Sequence, residues 1–234
     1  MLRLFIPAAL IDGGTARILG AELRHLRTMR LGPGAPLRVV DDTGAEHEAV
    51  VATLGPREAT ATLRSSERPA RESPLDLVLA PALLKGAKMD LVVEKATEIG
   101  VRRIVPVRSR HAIGERAPLE RWERIALAAT KQSGRTARPV IEAPVPFVDV
   151  VRRPWPDLRL IAWERERSRS FRTLPARASA VVIVVGPEGG FADEEVEDAQ
   201  SHGFVAVGLA PRILRAETAA IVAAALVQHH FGDA

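Results

Sequence analysis

The sequence predicts an α/β protein with a parallel sheet, preceded by a small, mostly β module. From residue 74 onward, short apolar runs alternate with segments of helical periodicity, the pattern of parallel strands joined by crossover helices. Before residue 64, several β-like runs follow one another, with only one helical segment among them. The polar, proline-containing stretch 64–74 is the natural linker, so we expect domains at 1–70 and 74–234.

The N-terminal module is predicted from short β-like runs separated by turn residues. The predicted strands are residues 2–6, 36–41, 47–54 and 59–63, and a predicted helix covers residues 22–31. Gly, Pro and Asp punctuate these runs, as expected of turns between short strands. This pattern indicates a separate small β domain.

The C-terminal region is predicted from strands that alternate with helices. Its predicted elements are strand 75–80, helix 88–99, strand 103–107, helix 119–133, strand 158–163, strand 181–185, helix 192–202, strand 204–209 and helix 218–227. Five consecutive aliphatic residues at 181–185 indicate a strand buried on both faces, as in a parallel sheet. Asp193 is the predicted N-cap of the next helix, and Gly203 is its predicted stop.

Composition excludes several classes of protein. The chain has 234 residues, of which 47% are hydrophobic, and no apolar run approaches the roughly 18 residues of a membrane span, so we expect a soluble protein. The absence of Cys excludes disulfides, thiolate metal sites and cysteine nucleophiles. Pro7 interrupts the apolar N-terminus and no cleavage pattern follows, so we expect no signal peptide and a cytoplasmic location.

The basic charge has two explanations that stay open. The pI of 10.2 is high for a formal net charge of +4, because the chain has no Tyr or Cys and only four Lys to titrate above neutral pH. Nearly all the basic residues are therefore Arg, which suits bidentate phosphate contacts but also arises from genomic composition. Aromatic residues make up only 4%, which leaves few stacking platforms and argues against a reader of extended single strands.

Two loops rich in Gly, Pro and charge form the candidate site. Residues 186–191, GPEGGF, follow one apolar run, and residues 208–218, GLAPRILRAET, follow the next. Loops at the carboxyl ends of neighbouring parallel strands line the crevice where open α/β sheets bind ligands. The first loop is neither a Walker A nor a Gly-x-Gly-x-x-Gly motif, which disfavours a phosphate-cradling nucleotide enzyme. A plain strand-to-helix turn is the other explanation.

These two loops resemble the signature of the RsmE family, SPOUT-class methyltransferases that methylate uridine N3 of 16S ribosomal RNA. Further blocks resemble the family in the same order along the chain: residues 25–34, residues 84–89 with 94–100, and residues 129–135. The resemblance implies an N-terminal PUA-like β-barrel that binds RNA and a C-terminal SPOUT domain with a deep trefoil knot. Ordinary topology rules predict no knot, so that feature follows from the resemblance alone.

In the family that the chain resembles, the two loops enclose S-adenosylmethionine, and a neighbouring strand end forms a third wall. The resemblance thus implies a cofactor-binding set of Ala162, Trp163, Gly186, Pro187, Glu188, Gly189, Gly190, Gly208, Leu209, Ile213, Leu214 and Thr218. No metal is expected, because none of the six His has ligand spacing. The implied partner is 16S rRNA or the small ribosomal subunit.

Methylation at uridine N3 requires a nucleophile made from a group that is mostly protonated at neutral pH. A carboxylate can accept that proton, and guanidinium groups can stabilise the charge that spreads onto O2 and O4. Arg212, Arg215 and Glu217 lie together in the second loop and are the candidates. The ordinary alternative is a helix start at which Glu217 complements the dipole and pairs with Arg215.

Arg135 is a fourth catalytic candidate, reaching into a neighbouring subunit's pocket. The alternative is a helix C-terminal Arg beside a Gly stop. This cross-subunit role and the Ala-rich face of the last predicted helix lead us to expect a homodimer.

The candidates for binding RNA are two groups of basic residues. Arg24, Arg27 and Arg30 are spaced by three and predict a basic face on the helix at 22–31, although a solvated face explains them equally. Lys85 and Lys88 follow strand 75–80 and could contact phosphates.

Two other functions stay open at this point. A non-catalytic RNA-binding or ribosome-assembly protein of the same fold would need neither the methyl donor nor Glu217. A small-molecule nucleotide enzyme on the same open sheet would bind ATP instead of the methyl donor.

Overall fold

The computed structural model describes residues 1–114, 117–155 and 157–234, which form two units. The N-terminal unit consists of Met1–Glu72 and Gly134–Ala137, and the C-terminal unit of Ser73–Ser133 and Arg138–Ala234. The short segment Gly134–Ala137 therefore packs with the first unit although it lies far along the chain. A contiguous domain boundary could not have included it.

The N-terminal unit is built on one six-stranded sheet. Its elements are β1 (Leu2–Phe5), a 3-10 turn (Ala8–Leu10), β2 (Ile11–Asp12), β3 (Thr15–Ile18), α1 (Gly20–Thr28), β4 (Pro36–Val40), β5 (Glu46–Leu54) and β6 (Ala59–Glu67). The strands are ordered β1-β4-β5-β6-β3-β2, and only the β1–β4 pair is parallel. Alternating apolar residues of these strands form a core with Leu23 and Leu26 of α1.

A β-hairpin near the N-terminus was not predicted from the sequence. Strands β2 and β3 pair with Asp12 opposite Thr15, so the turn consists of Gly13 and Gly14 alone. Both glycines have positive φ, 53° and 77°, as two-residue hairpin turns require. The Gly-Gly pair was the signal that could have revealed these strands.

Helix α1 is shorter at its C-terminal end than predicted. It ends at Thr28, and Arg30 lies beyond it with a positive φ of 53°. The nearby Gly32-Pro33 pair disfavours helix continuation, because Pro restricts the residue before it. The predicted basic face therefore holds Arg24 and Arg27 on the helix, while Arg30 lies outside it.

The C-terminal unit is a parallel sheet covered by helices, as predicted. Its elements are β7 (Asp76–Pro81), α2 (Ala87–Glu98), β8 (Arg103–Ile104), β9 (Val107–Arg108), α3 (Leu119–Ser133), β10 (Val140–Ile141), β11 (Val145–Pro146), α4 (Phe147–Arg152), β12 (Leu158–Ala162), a 3-10 turn (Phe171–Thr173), β13 (Ala180–Val185), α5 (Asp193–Ser201), β14 (Val205–Val207) and α6 (Ala216–Phe231). The main sheet has the order β10-β8-β7-β13-β12-β14, and its pairs are parallel.

Strand β13 lies in the middle of this sheet, and all six of its residues are buried. Successive side chains enter two different hydrophobic clusters: Val181, Ile183 and Val185 pack in one, and Val182 and Val184 in the other. This is the burial on both faces that the aliphatic run predicted, since side chains alternate along a strand.

Two local predictions in this unit were wrong in detail, and one helix was missed. The N-cap of α5 is Ala192, and Asp193 is the first helical residue. The predicted strand 103–107 is two short strands, β8 and β9, on either side of Pro106, which has no N–H for the ladder. The short helix α4 was not predicted, because its six residues are too few to show helical periodicity.

Helix α6 is the most apolar helix of the unit, and its buried residues are mostly Ala. Ala220, Ala223 and Ala224 pack in the same cluster as Leu77 and Leu79 of β7. In the part of the chain that the structure describes, no helix combines the length and the hydropathy needed to cross a bilayer.

Candidate active site at the carboxyl edge of the parallel sheet

Three adjacent strands end at the same level and direct three loops to one edge of the sheet. Ala162 of β12 pairs with Val185 of β13 on one side and with Val207 of β14 on the other. The loops that begin at Trp163, Gly186 and Gly208 therefore start side by side. The rule that parallel strands share a carboxyl edge predicted that the loops after β13 and β14 meet, and the resemblance implied the third wall at Ala162 and Trp163.

A pocket lies between these loops and the start of α6. It is lined by Ala162, Trp163, Glu164, Val185, Gly186, Pro187, Glu188, Gly189, Gly190, Leu209, Ala210, Arg212, Ile213, Leu214, Ala216 and Ala219. Ten of the twelve residues expected to bind the cofactor are in this set, and Gly208 and Thr218 are not. Thr218 is exposed, whereas Ala216 and Ala219, three residues apart, share the helix face that lines the pocket.

Several lining residues were not predicted. Ala216 and Ala219 could have been found from helical spacing, since they continue the second loop onto one face of α6. Val185 is the last residue of its strand, and Ala210 lies within the second loop. Nothing in the sequence distinguishes Glu164 from its charged neighbours.

The glycines of the two main loops are required by neighbouring protein atoms. A Cβ on Gly208 would lie 2.5 Å from the backbone oxygen of Glu166, and a Cβ on Gly189 would lie 3.1 Å from Cβ of His111. Gly190 has a φ of 70°, which favours glycine. A bound ligand was the expected neighbour of these glycines, whereas the nearest atoms belong to adjacent loops of the same unit.

The arginine-rich segment 164–172 is mostly exposed and forms hydrogen bonds to the second loop of the site. The Gly208 N–H donates to the Arg169 carbonyl at 2.9 Å. Arg167 donates to the Pro211 carbonyl at 3.0 Å, which fastens the same segment to the second loop. Because the segment follows Trp163 directly, these two hydrogen bonds join the strand end at Trp163 to the second loop.

The mouth of the pocket carries an ion pair between two distant parts of the sequence. Lys88 Nζ lies 2.8 Å from Glu188 Oε1. The two meet because β7, which precedes Lys88, pairs with β13 so that Pro81 lies opposite Val185. The Glu188 carboxylate raises the pKa of Lys88, and nearby Glu217 raises it further. Burial alone would raise the pKa of Glu188, but Lys88 and a backbone N–H lower it overall.

Glu217 and Arg215 lie at the first turn of α6, beside the lining residues Leu214 and Ala216. Arg215 is the N-cap and is exposed. Glu217 Oε2 is buried and has no hydrogen-bond partner among the residues that the structure describes. Within the same residues, no ion pair joins Arg215 to Glu217, so the alternative explanation of a paired helix start is not supported.

The remaining catalytic candidates, Arg212 and Arg135, belong to different units. Arg212 lines the pocket and is exposed. Arg135 belongs to the N-terminal unit and is only 4% exposed. Its guanidinium donates to Glu72 through Nη2 at 2.7 Å and through Nε at 3.0 Å. Arg135 thus has a structural partner, and its action in a second subunit stays a prediction that would require this pair to break.

The RNA-binding candidates are exposed, apart from Lys88. Arg24 and Arg30 are exposed in the N-terminal unit, and Arg27 donates to the Gly55 carbonyl at 2.6 Å. Lys85 is exposed in the C-terminal unit.

Across residues 1–114, 117–155 and 157–234, no group of three His, Asp or Glu side chains is arranged to hold a metal ion.

Comparison with known proteins places this site in a family. A model of the RNA methyltransferase domain matches residues 71–228. The ribosomal RNA small subunit methyltransferase E of Mesomycoplasma hyopneumoniae is 32% identical over 206 residues, 85% of this chain and 87% of that protein. The protein of the same name from Synechocystis is 33% identical over 236 residues, 96% of this chain and 76% of that protein. A crystal structure of the methyltransferase E from Neisseria gonorrhoeae, bound to S-adenosyl methionine, has a TM-score of 0.92 and 33% identity, and the match covers 100% of this chain and 99% of that one.

The domain match over residues 71–228 defines the class of this chain as RNA methyltransferase. Within that class, relatives at 32% and 33% identity extend over most of the chain. The chain belongs to the RsmE family of ribosomal RNA small subunit methyltransferases. The predicted family and its use of S-adenosylmethionine are thereby confirmed.

The lining of the pocket fits S-adenosylmethionine. Trp163 Nε1 is a buried donor without a partner among the described residues, so it has a hydrogen bond to offer to a bound molecule. Gly186 and Gly189 line the pocket without a side chain, so their backbone can come close to an adenine edge. Leu209, Leu214 and Ala216 supply the apolar surface that such a ligand needs.

Proposed function

We propose that this protein transfers a methyl group from S-adenosylmethionine to N3 of a uridine in 16S ribosomal RNA, with Glu217 as the proton acceptor. The observation that carries this proposal is the buried, unpartnered Oε2 of Glu217 beside the cofactor pocket, among the residues that the structure describes. A buried carboxylate oxygen without a partner is costly, and a donor such as the N3–H of uracil would satisfy it.

The residues of the site divide the work between binding and proton transfer. The loop residues Gly186 to Gly190 and Leu209 to Leu214 would hold the cofactor, which supplies an electrophilic methyl carbon on a sulfonium sulfur. Glu217 takes the N3 proton, and the N3 electron pair forms the new bond to carbon while the sulfur keeps the electrons of the bond that breaks. Arg215 and Arg212 stabilise the negative charge that develops on O2 and O4.

The experiment that tests this function combines a deletion strain with purified protein. Mass spectrometry of 16S rRNA from the deletion strain should show one uridine lacking its N3 methyl group. The purified protein with S-adenosylmethionine should restore that mass in rRNA or in small subunits. If the protein binds the rRNA but methylates no uridine, it is a non-catalytic RNA-binding protein and the proposal is wrong.

We further propose that the N-terminal unit is the PUA-like RNA-binding domain of the family. Its six-stranded, mostly antiparallel sheet and its exposed Arg24 and Arg30 support this assignment. Replacing Arg24 and Arg30 with Ala should weaken RNA binding and reduce the slope of log affinity against log salt by about 0.7–0.9 for each phosphate that the variant no longer neutralises. Methyl transfer at saturating RNA should persist.

A matched control for that experiment is Arg17→Ala. Arg17 is an exposed arginine of the same unit, but it already pairs with Glu58 at 2.8 Å. Its replacement should leave the salt slope unchanged. An equal change of slope in both variants would mean that net charge, and not a binding face, sets the affinity.

Three finer features of the family belong to the same proposal: a trefoil knot in the C-terminal unit, a cytoplasmic location and a homodimer. The dimer is supported by α6, which is apolar around most of its circumference and leaves Ile221 and Val222 partly exposed. The loop residue Ile213 is 81% exposed. Light scattering that shows only a monomer at working concentration would contradict the predicted dimer.

A further inference from the structure

Lys88 lies in a group of four charged side chains at the mouth of the cofactor pocket. It pairs with Glu188 of the pocket lining at 2.8 Å, and its charge interacts with those of Glu217 and Arg215. The Lys88 side chain is 42% exposed, so solvent or a substrate can reach the ammonium from the open side. Lys88 therefore lies beside residues to which the proposed function assigns proton transfer and charge stabilisation.

The uracil anion needs a cation in addition to the loop arginines, because its charge lies on two oxygens. When uracil loses its N3 proton, negative charge spreads over O2 and O4, which lie on opposite sides of N3. Arg215 and Arg212 both come from the second loop, whereas Lys88 approaches from the start of α2. A cation from a second element can reach a carbonyl that the loop arginines do not.

We propose that Lys88 stabilises the uracil anion during methyl transfer by donating to one of its two carbonyl oxygens, and that Glu188 holds the ammonium in place before the RNA binds. This inference rests on the proposed function, because it requires N3 of uracil to be the acceptor. Lys88 neither gains nor loses a proton in the step. The N3 proton goes to Glu217, and Lys88 only donates a hydrogen bond to the oxygen that becomes negative.

The ion pair with Glu188 gives the ammonium a defined starting position. A flexible lysine otherwise loses side-chain entropy when it is fixed in one geometry, and a carboxylate on the cofactor loop limits that loss. Because Glu188 also lines the pocket, the same loop that holds the cofactor sets the position of Lys88. A lysine that only contacted an RNA phosphate would not need an ion pair with the cofactor loop.

The test compares Lys88→Met with Lys95→Met in the full-length protein. Lys95 lies on the same helix and also forms surface ion pairs, with Glu94 at 2.7 Å and Glu98 at 2.9 Å, but it is not part of the site. Lys88→Met should lower the single-turnover rate at saturating RNA by a factor of about 10–100. The affinities for S-adenosylmethionine, measured by calorimetry, and for RNA should stay within about twofold. Lys95→Met should change none of these values.

A pH–rate profile separates charge stabilisation from a structural role. Without the ammonium, the N3 anion is harder to form, so the rate of Lys88→Met should rise more steeply with pH and approach the wild-type rate in alkaline solution. Lys88→Arg, which keeps a cation, should recover part of the rate at neutral pH.

Three outcomes would overturn this assignment. An unchanged rate for Lys88→Met would show that the ammonium does not act in the step. Weaker RNA binding with a smaller salt slope would make Lys88 a phosphate contact. Weaker S-adenosylmethionine binding would mean that Lys88 acts only through Glu188. If wild-type protein itself methylates no uridine N3, the proposed function fails, which is a separate result.

Discussion

Replacing Glu217 with Gln is expected to lower the single-turnover rate of methylation by a factor of about 100 or more. The amide keeps the size and shape of the side chain but cannot accept the N3 proton at neutral pH. The buried Oε2 of Glu217 has no hydrogen-bond partner in the described chain, so the substitution breaks no observed contact of that atom. The rate should be measured in a rapid-quench experiment with rRNA and S-adenosylmethionine both saturating.

The control separates this role from the stabilisation of a helix start. A carboxylate in the first turn of a helix contributes about 0.3–1 kcal/mol of stability through the dipole, so Glu217→Gln should lower the free energy of unfolding by no more than that. Glu197→Gln changes an exposed glutamate of α5 and should leave the rate unaltered. A Glu217→Gln protein that is less stable but methylates at the wild-type rate would show that Glu217 only begins the helix.

Replacing Gly208 with Ala is expected to weaken S-adenosylmethionine binding by about 10- to 100-fold. The added Cβ would lie 2.5 Å from the Glu166 carbonyl oxygen and 3.6 Å from that of Arg169, so backbone must move. Gly208 also donates its N–H to Arg169 at 2.9 Å, and the movement would disturb that hydrogen bond. Overpacking of this kind costs about 1–3 kcal/mol. If the cost falls on the loop arrangement that binds the cofactor, it corresponds to the stated loss of affinity.

Gly32→Ala is the matched control, because no atom lies within 4 Å of a Cβ at that position. It should leave the affinity and the melting temperature nearly unchanged. Calorimetry with S-adenosylmethionine and with its demethylated product measures both variants. Wild-type affinity in a folded Gly208→Ala protein would show that segment 164–172 moves away from the added Cβ at little cost in free energy. The segment would then not shape the pocket.

The sequence alone determined the parts of this protein that depend on local patterns. The aliphatic run at 181–185 predicted a buried parallel strand, because only a strand with both faces covered tolerates five apolar side chains in succession. Helix α3 begins and ends at the predicted residues, Leu119 and Ser133. The two loops were found from local signals as well: Gly and Pro directly after an apolar run end the strand and mark a turn, and the shared carboxyl edge of parallel strands brings such turns together.

Only the tertiary structure decided which charged side chains meet. Lys88 and Glu188 are 100 positions apart, and they form an ion pair because β7 and β13 are neighbours in the sheet. Arg135 and Glu72 are likewise brought together across 63 positions, which gives a partly buried structural pair to a residue that the sequence offered as catalytic. Hydrophobic periodicity encodes which face of an element is buried, but the energy of a charge pair depends on distances between elements, and no local pattern fixes those distances.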